Sequence, residues 1–142
     1  MRKVLDMIAK GQYTEILKYD ELNREIAANR VLNDFIALQP NFPPTFKRAR
    51  QRVFTGDASA TVLTDRESLT ASTPSSKTPK LDHPLLTYYN EKRLPSFTDR
   101  ILYKSMSTFR EAVRVMFFES VESALSSDHK PVRAGFEVSY WW

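Results

Sequence analysis

The stretch at 70–79, Thr-Ala-Ser-Thr-Pro-Ser-Ser-Lys-Thr-Pro, contains no large apolar residue, and it divides the chain into two flanks that have to fold together. Such a segment has nothing to bury against the entropy cost of ordering, so it reads as part of a mobile, disordered loop at about residues 56–80. Neither flank holds enough apolar residues for a core of its own. The expectation is therefore one domain over residues 1–142 interrupted by a long loop. A length of 142 residues with 42% hydrophobic residues suits one modest domain.

The two flanks differ in periodicity. Residues 3–30 read as helical: Val4, Leu5, Ile8 and Ala9 share a face, Gly11 is a stop, and Tyr13, Ile16 and Leu17 resume the spacing. Asp20 is placed to cap a short helix carrying Leu22 and Ile26. Residues 31–38 fit either a helix end or an extended segment, and Pro40, Pro43 and Pro44 end regular structure after them. Beyond the loop the pattern is that of strands, at 100–104, 113–118 and 131–138. In the last of these Val132, Ala134, Phe136 and Val138 alternate onto one face. Helices in one flank and strands in the other give an α/β or α+β organisation.

Composition excludes several classes of chemistry. Cysteine is absent, which rules out disulfide scaffolding and thiolate metal sites and fits a reducing, cytoplasmic compartment. Three glycines leave no Gly-rich phosphate loop. No run approaches the length of a membrane span, and Met1, Arg2 and Lys3 lead directly into an amphipathic helix, as the middle of a domain does. The net charge of +4 suits phosphate-bearing partners, whether nucleic acid, anionic membrane or soluble polyphosphate.

Two segments place reactive side chains at strand ends, where rigid scaffolds display them. Asp99 and Arg100 stand at the entry to the 100–104 strand, and Asp128 and His129 stand before the last strand. A carboxylate can hold a divalent cation, and an imidazole can donate to a phosphoryl oxygen as charge develops. A second carboxylate can set the tautomer of that imidazole. Spacing alone leaves the bland readings open: a solvated turn for the Asp-His pair and an ion pair for the Asp-Arg pair.

Three motifs in order go further: Asn-Phe-Pro-Pro-Thr-Phe-Lys at 41–47, Pro-Ser-Phe-Thr-Asp-Arg-Ile-Leu-Tyr at 95–103, and Ser-Asp-His-Lys-Pro-Val at 127–132. Together with the helical stretch before them, they make the chain resemble the inositol polyphosphate 5-phosphatases over nearly all of its length outside the Ser/Thr-rich loop. The resemblance implies part of the four-layered α/β sandwich of the deoxyribonuclease I-like (endonuclease/exonuclease/phosphatase) superfold, and Mg²⁺ as cofactor. It implies that His129 donates to the scissile phosphate, that Asp128 lies beside it on the metal side as a ligand, and that Asp99 orients His129. Lys47 matches the lysine that meets the neighbouring ring phosphate. Arg100 is assigned to polar contacts in the same site, and Lys92 and Arg93 either add to substrate binding or form a solvated charge pair.

The activity so implied is removal of the 5-phosphate from phosphoinositides or soluble inositol polyphosphates, with peripheral contact to an anionic membrane. The Phe-Pro-Pro-Thr-Phe-Lys segment argues against a nuclease of the same superfold, so no nucleic acid is expected. Phe97 stands where the family usually has Trp. Arg48 stands where it often has a headgroup-binding Tyr, and Arg48, Arg50 and Arg52 either favour a more highly phosphorylated substrate or form a solvated basic face. The family's metal-holding Glu and Asn and its water-activating Asp belong to the first half of the domain, and no Gly-Asp-x-Asn motif occurs here. The expectation is a C-terminal part of the catalytic domain that exposes apolar strand faces, folds poorly alone and is inactive without the other half. The alternative is a non-catalytic remnant that binds phosphoinositide or protein. Trp141 and Trp142 either end a strand or mark an edge.

Overall fold

A computed structural model describes residues 1–49 and 83–139. The segment expected to be a loop, Arg50, Arg52, Trp141 and Trp142 lie outside the described residues.

Three short helices open the chain: α1 (Arg2–Ala9), α2 (Tyr13–Leu17) and α3 (Glu21–Ala27). The ends of α1 and α3 have the same local cause. After α1, Gly11 takes φ +65°, its N–H donates to Ile8 O at 3.0 Å and that of Gln12 to Met7 O at 2.9 Å. After α3, Asn29 takes φ +53°, its N–H donates to Ile26 O at 2.9 Å and that of Arg30 to Glu25 O at 3.0 Å. Both are left-handed C-terminal caps that satisfy the last carbonyls. Asp20 caps α3 as the sequence indicates, accepting from Asn23 N at 2.8 Å.

The ambiguous segment resolves into a loop followed by β1 (Ile36–Ala37), which pairs antiparallel with β2 (Leu102–Tyr103). Only those two residues of the expected 100–104 strand are in a ladder. The longer strands, β3 (Val113–Ser120) and β4 (Val132–Val138), form a second antiparallel pair, with a register shift between Val115 and Phe117. At the shift the Phe117 ring lies over Gly135, where a Cβ would come within 2.8 Å of Cδ1 and 2.9 Å of Cζ. A side chain at 135 would push the half-exposed Phe117 ring aside. The strands among the described residues thus form two separate two-stranded sheets. No helix among them is long and apolar enough to cross a membrane.

The face that alternates along β4 is only half realised. Val132 packs toward the core, while Phe136 and Val138 are exposed, together with Met116 and Phe117 of β3.

Two apolar clusters join the flanks. Leu5 and Ile8 of α1 pack against Leu85, Tyr88 and Tyr89, which follow the undescribed segment. Leu17 packs against Phe42 and Phe97, with Phe118 and Val132 at the margin. Phe97 is buried and meets Phe42 edge-on, with ring centroids 6.3 Å apart, so the smaller aromatic still fills its place. Tyr13 and Ile16 touch both clusters and make them one core. The second cluster sits under the closed end of the β3–β4 pair, where Val121 N donates to Pro131 O at 2.8 Å. The 121–131 connection is held there, and it carries Asp128 and His129.

Candidate active site

Residues 45–49 are stitched to three other segments by backbone hydrogen bonds. Phe46 and Ser96 exchange N–H···O bonds at 3.1 and 2.8 Å. Arg48 N donates to Asp128 O at 2.8 Å, and Lys130 N donates to Thr45 O at 3.1 Å. On the far side Ala49 N donates to Tyr88 O at 2.6 Å, and Asn90 N donates to Lys47 O at 3.1 Å. This brings the three motifs of the sequence to one place, although 41–47 and 127–132 lie far apart along the chain.

Asp99 and His129 face each other there. His129 Nδ1 lies 3.1 Å from both Asp99 carboxylate oxygens, and Thr98 Oγ1 donates to Asp99 Oδ2 at 3.1 Å. A carboxylate at Nδ1 fixes that nitrogen as the protonated one, so Nε2 is the atom turned to other partners. The ring also stacks near Phe46, with centroids 4.6 Å apart and planes inclined by 34°. The imidazole stays 44% exposed, which leaves room for a ligand at its free edge.

Lys47 Nζ lies 3.2 Å from Asp128 Oδ2. A partly exposed ion pair of this kind is weak, so the ammonium can exchange the carboxylate for a phosphate at little cost. The geometry therefore sets an oriented imidazole and an available cation on adjoining segments. Phosphoryl transfer uses both.

The remaining expected residues make contacts of their own. Arg100 turns away from His129 toward α3: its guanidinium donates to Asp20 Oδ1 and to Asn23 Oδ1, each at 3.0 Å, and the side chain is 5% exposed. These contacts make Arg100 a buried brace between the site segment and the cap of α3. Lys92 and Arg93 sit on an exposed turn closed by Asn90, whose Oδ1 accepts from Lys92 N at 2.9 Å. Arg48 is neither a headgroup ligand nor part of a solvated face. It is wholly buried and pairs with Glu122, Nη1 to Oε1 at 3.2 Å and Nη2 to Oε2 at 2.7 Å.

The described residues contain no group of three or more His, Asp or Glu side chains arranged to hold a metal ion. Asp128 is the carboxylate at the site edge, and Lys47 engages it. Mg²⁺ is commonly held by one or two carboxylates together with waters and substrate phosphate, and Asp128 is a carboxylate placed to serve as one such ligand.

Beneath the site lies a polar layer that sequence reasoning missed. Lys130 is buried, and its Nζ donates to the carbonyls of Glu122 and Ala124. Burial first, and then the neighbouring Arg48, push its ammonium below the usual lysine range, against the pull of Glu122. Tyr89 donates to Pro44 O at 2.8 Å, and its ring lies 5.2 Å below the Arg48 guanidinium. Glu122 had no signal in the sequence. A single Glu in a Ser-rich connection reads as solvated, and its partner is 74 residues away.

The model of the endonuclease/exonuclease/phosphatase family 2 matches residues 1–135, and the chain belongs to that family. The resemblance read from the three motifs is borne out. The chain is similar to inositol-1,4,5-trisphosphate 5-phosphatase 1 of Schizosaccharomyces pombe, 24% identical over 137 residues. It is also similar to phosphatidylinositol 3,4,5-trisphosphate 5-phosphatase 2A of Danio rerio, 23% identical over 138 residues. The matches cover 96% and 97% of this chain but 9% of each relative. The mixed helix and strand content agrees with the α/β class.

Proposed function

We propose that these residues form one wall of a phosphatase site that removes the 5-phosphate from an inositol polyphosphate or a phosphoinositide, within the four-layered sandwich of the superfold. The pairing of Asp99 with His129 Nδ1, beside the Lys47–Asp128 pair, is the observation that carries the reading. Asp99 accepts from Nδ1–H and holds the ring, so that the doubly protonated imidazole donates its Nε2–H to a phosphoryl oxygen, and Thr98 keeps the carboxylate in place. Lys47 neutralises an adjacent ring phosphate as a mobile point charge. Mg²⁺, if bound as the resemblance implies, supplies Lewis-acid stabilisation of the phosphoryl group, with Asp128 as this chain's candidate ligand and the other ligands outside the described residues. The same reading places the protein in the cytoplasm, touching an anionic membrane when the substrate is a lipid.

The test is phosphate release by the protein expressed from the intact gene, assayed with Mg²⁺ on soluble inositol trisphosphate and on phosphoinositide vesicles. Loss of an oriented donor to the phosphoryl group is expected to lower kcat by roughly 10²–10³-fold in His129→Ala. Asp99→Asn is expected to fall less, with KM nearly unchanged. Full activity in His129→Ala would end this assignment, and binding of inositol phosphates without any release would favour the non-catalytic remnant.

A further inference from the structure

The 45–49 segment and the 121–131 connection share a pattern. Each sends one cation inward and the neighbouring side chain outward. Arg48 and Lys130 point in and are buried, while Lys47 and His129 point out and are partly exposed. Both inward cations meet at Glu122: Arg48 on its carboxylate through two hydrogen bonds, Lys130 on its main-chain carbonyl at 3.3 Å. Ser120 Oγ donates to Glu122 Oε1 at 3.0 Å and orients the carboxylate from the end of β3.

We infer that the Arg48–Glu122 pair is a positioning device that sets Lys47 in register with Asp128 and His129. The inference rests on the phosphatase reading for the identity of the ligand, though not for the geometry. Stability is a poor explanation for the pair, because apolar residues of similar volume often serve a fold as well as a buried ion pair does. A fork-to-fork contact does something an apolar contact cannot. Two parallel bonds between planar groups fix both separation and twist. Two backbone bonds, Arg48 N to Asp128 O and Lys130 N to Thr45 O, pass that constraint to the outward side chains. An apolar contact at the same place would fix neither separation nor twist. Lysine in place of Arg48 would keep the charge and lose the fork.

The experiment compares the wild-type chain with Arg48→Met/Glu122→Met, which removes both charges and keeps the net charge, and with Arg48→Lys. Each variant is melted, its nuclear Overhauser contacts between the Lys47 and Asp128 side chains are compared with those between His83 and Asp6 as control, and it is titrated with soluble inositol trisphosphate. The expected result is a double variant that melts within a few degrees of wild type and keeps the His83–Asp6 contacts. It loses those between Lys47 and Asp128, and its affinity for inositol trisphosphate falls at least tenfold. Arg48→Lys should fall between the two.

Native melting with unchanged Lys47–Asp128 contacts and unchanged affinity would overturn the inference. So would loss of the fold in both variants, which would assign the pair to stability alone, and so would a wild-type chain whose signals show no fold. If the folded wild type binds no inositol trisphosphate, the phosphatase reading fails, and the Lys47–Asp128 contacts alone decide the positioning role.

Discussion

Tyr89 sits under the Arg48 guanidinium with its hydroxyl on Pro44 O, and these surroundings govern its chemistry. Burial pushes its phenol far above the ordinary 10.0, against the pull of Arg48, while Glu122 and Tyr13 add to the rise. Tyr13 moves the same way, by burial first and then by Glu122. A group whose folded value lies above its unfolded value stabilises the native state fully below the unfolded value, and that contribution is lost as pH rises above it. The chain should therefore lose stability above pH 10 in step with tyrosine ionisation. In an ultraviolet titration of the six tyrosines, Tyr89 is expected to ionise only with unfolding. Tyr89→Phe should remove that late step, and a late step that persists would contradict the placement. Arg100 carries the complementary lesson. A charged residue inside a functional motif can serve the scaffold, and here its guanidinium ties the site strand to the cap of α3 through Asp20 and Asn23.

At the scale of elements, the helices are short and owe their limits to caps. A helix of eight residues such as α1 is marginal without tertiary support, and Leu5 and Ile8 provide that support. Gly11 closes it at φ +65° with nothing within 4 Å of a built Cβ. Gly11→Ala should therefore act through the backbone alone and cost about 1 kcal/mol, read from the denaturation midpoint. A D-alanine at the same place in a semisynthetic chain should cost nothing, and an equal loss for both would show that the left-handed cap is not the cause. The Gly11 stop, the Asp20 cap and the two longer strands were legible in the sequence because each has a local cause. The β1–β2 pair was not, since a two-residue ladder leaves no period to read, and what holds it is the partner strand.

Across the whole molecule, the core depends on both flanks. Tyr13 and Ile16 touch the Leu5–Tyr89 cluster and the Leu17–Phe97 cluster alike, so the helical flank and the strand flank should unfold together. Ile16→Ala is expected to lower stability by roughly 2–3 kcal/mol while leaving one transition, coincident by far- and near-ultraviolet circular dichroism. Two separate transitions would mean that the clusters are independent. The exposed Met116, Phe117, Phe136 and Val138 show the limit of an alternation argument. Period two says which side chains share a face, and only the packing of the whole molecule says whether that face is covered.

The sequence alone determined the helices of the first flank, the two longer strands, the Gly11 stop and Asp20 cap, and the three motifs that mark the family, because these depend on neighbours within a few residues. It also singled out His129, Asp99, Asp128 and Lys47 as the groups to watch. Only the tertiary structure decided that Asp99 reaches His129 Nδ1, that Lys47 pairs with Asp128, and that Arg100 and Arg48 turn inward to Asp20 and Glu122. The reason is physical. A charged side chain goes to the counter-charge that burial makes strongest, and burial is a property of the packed chain.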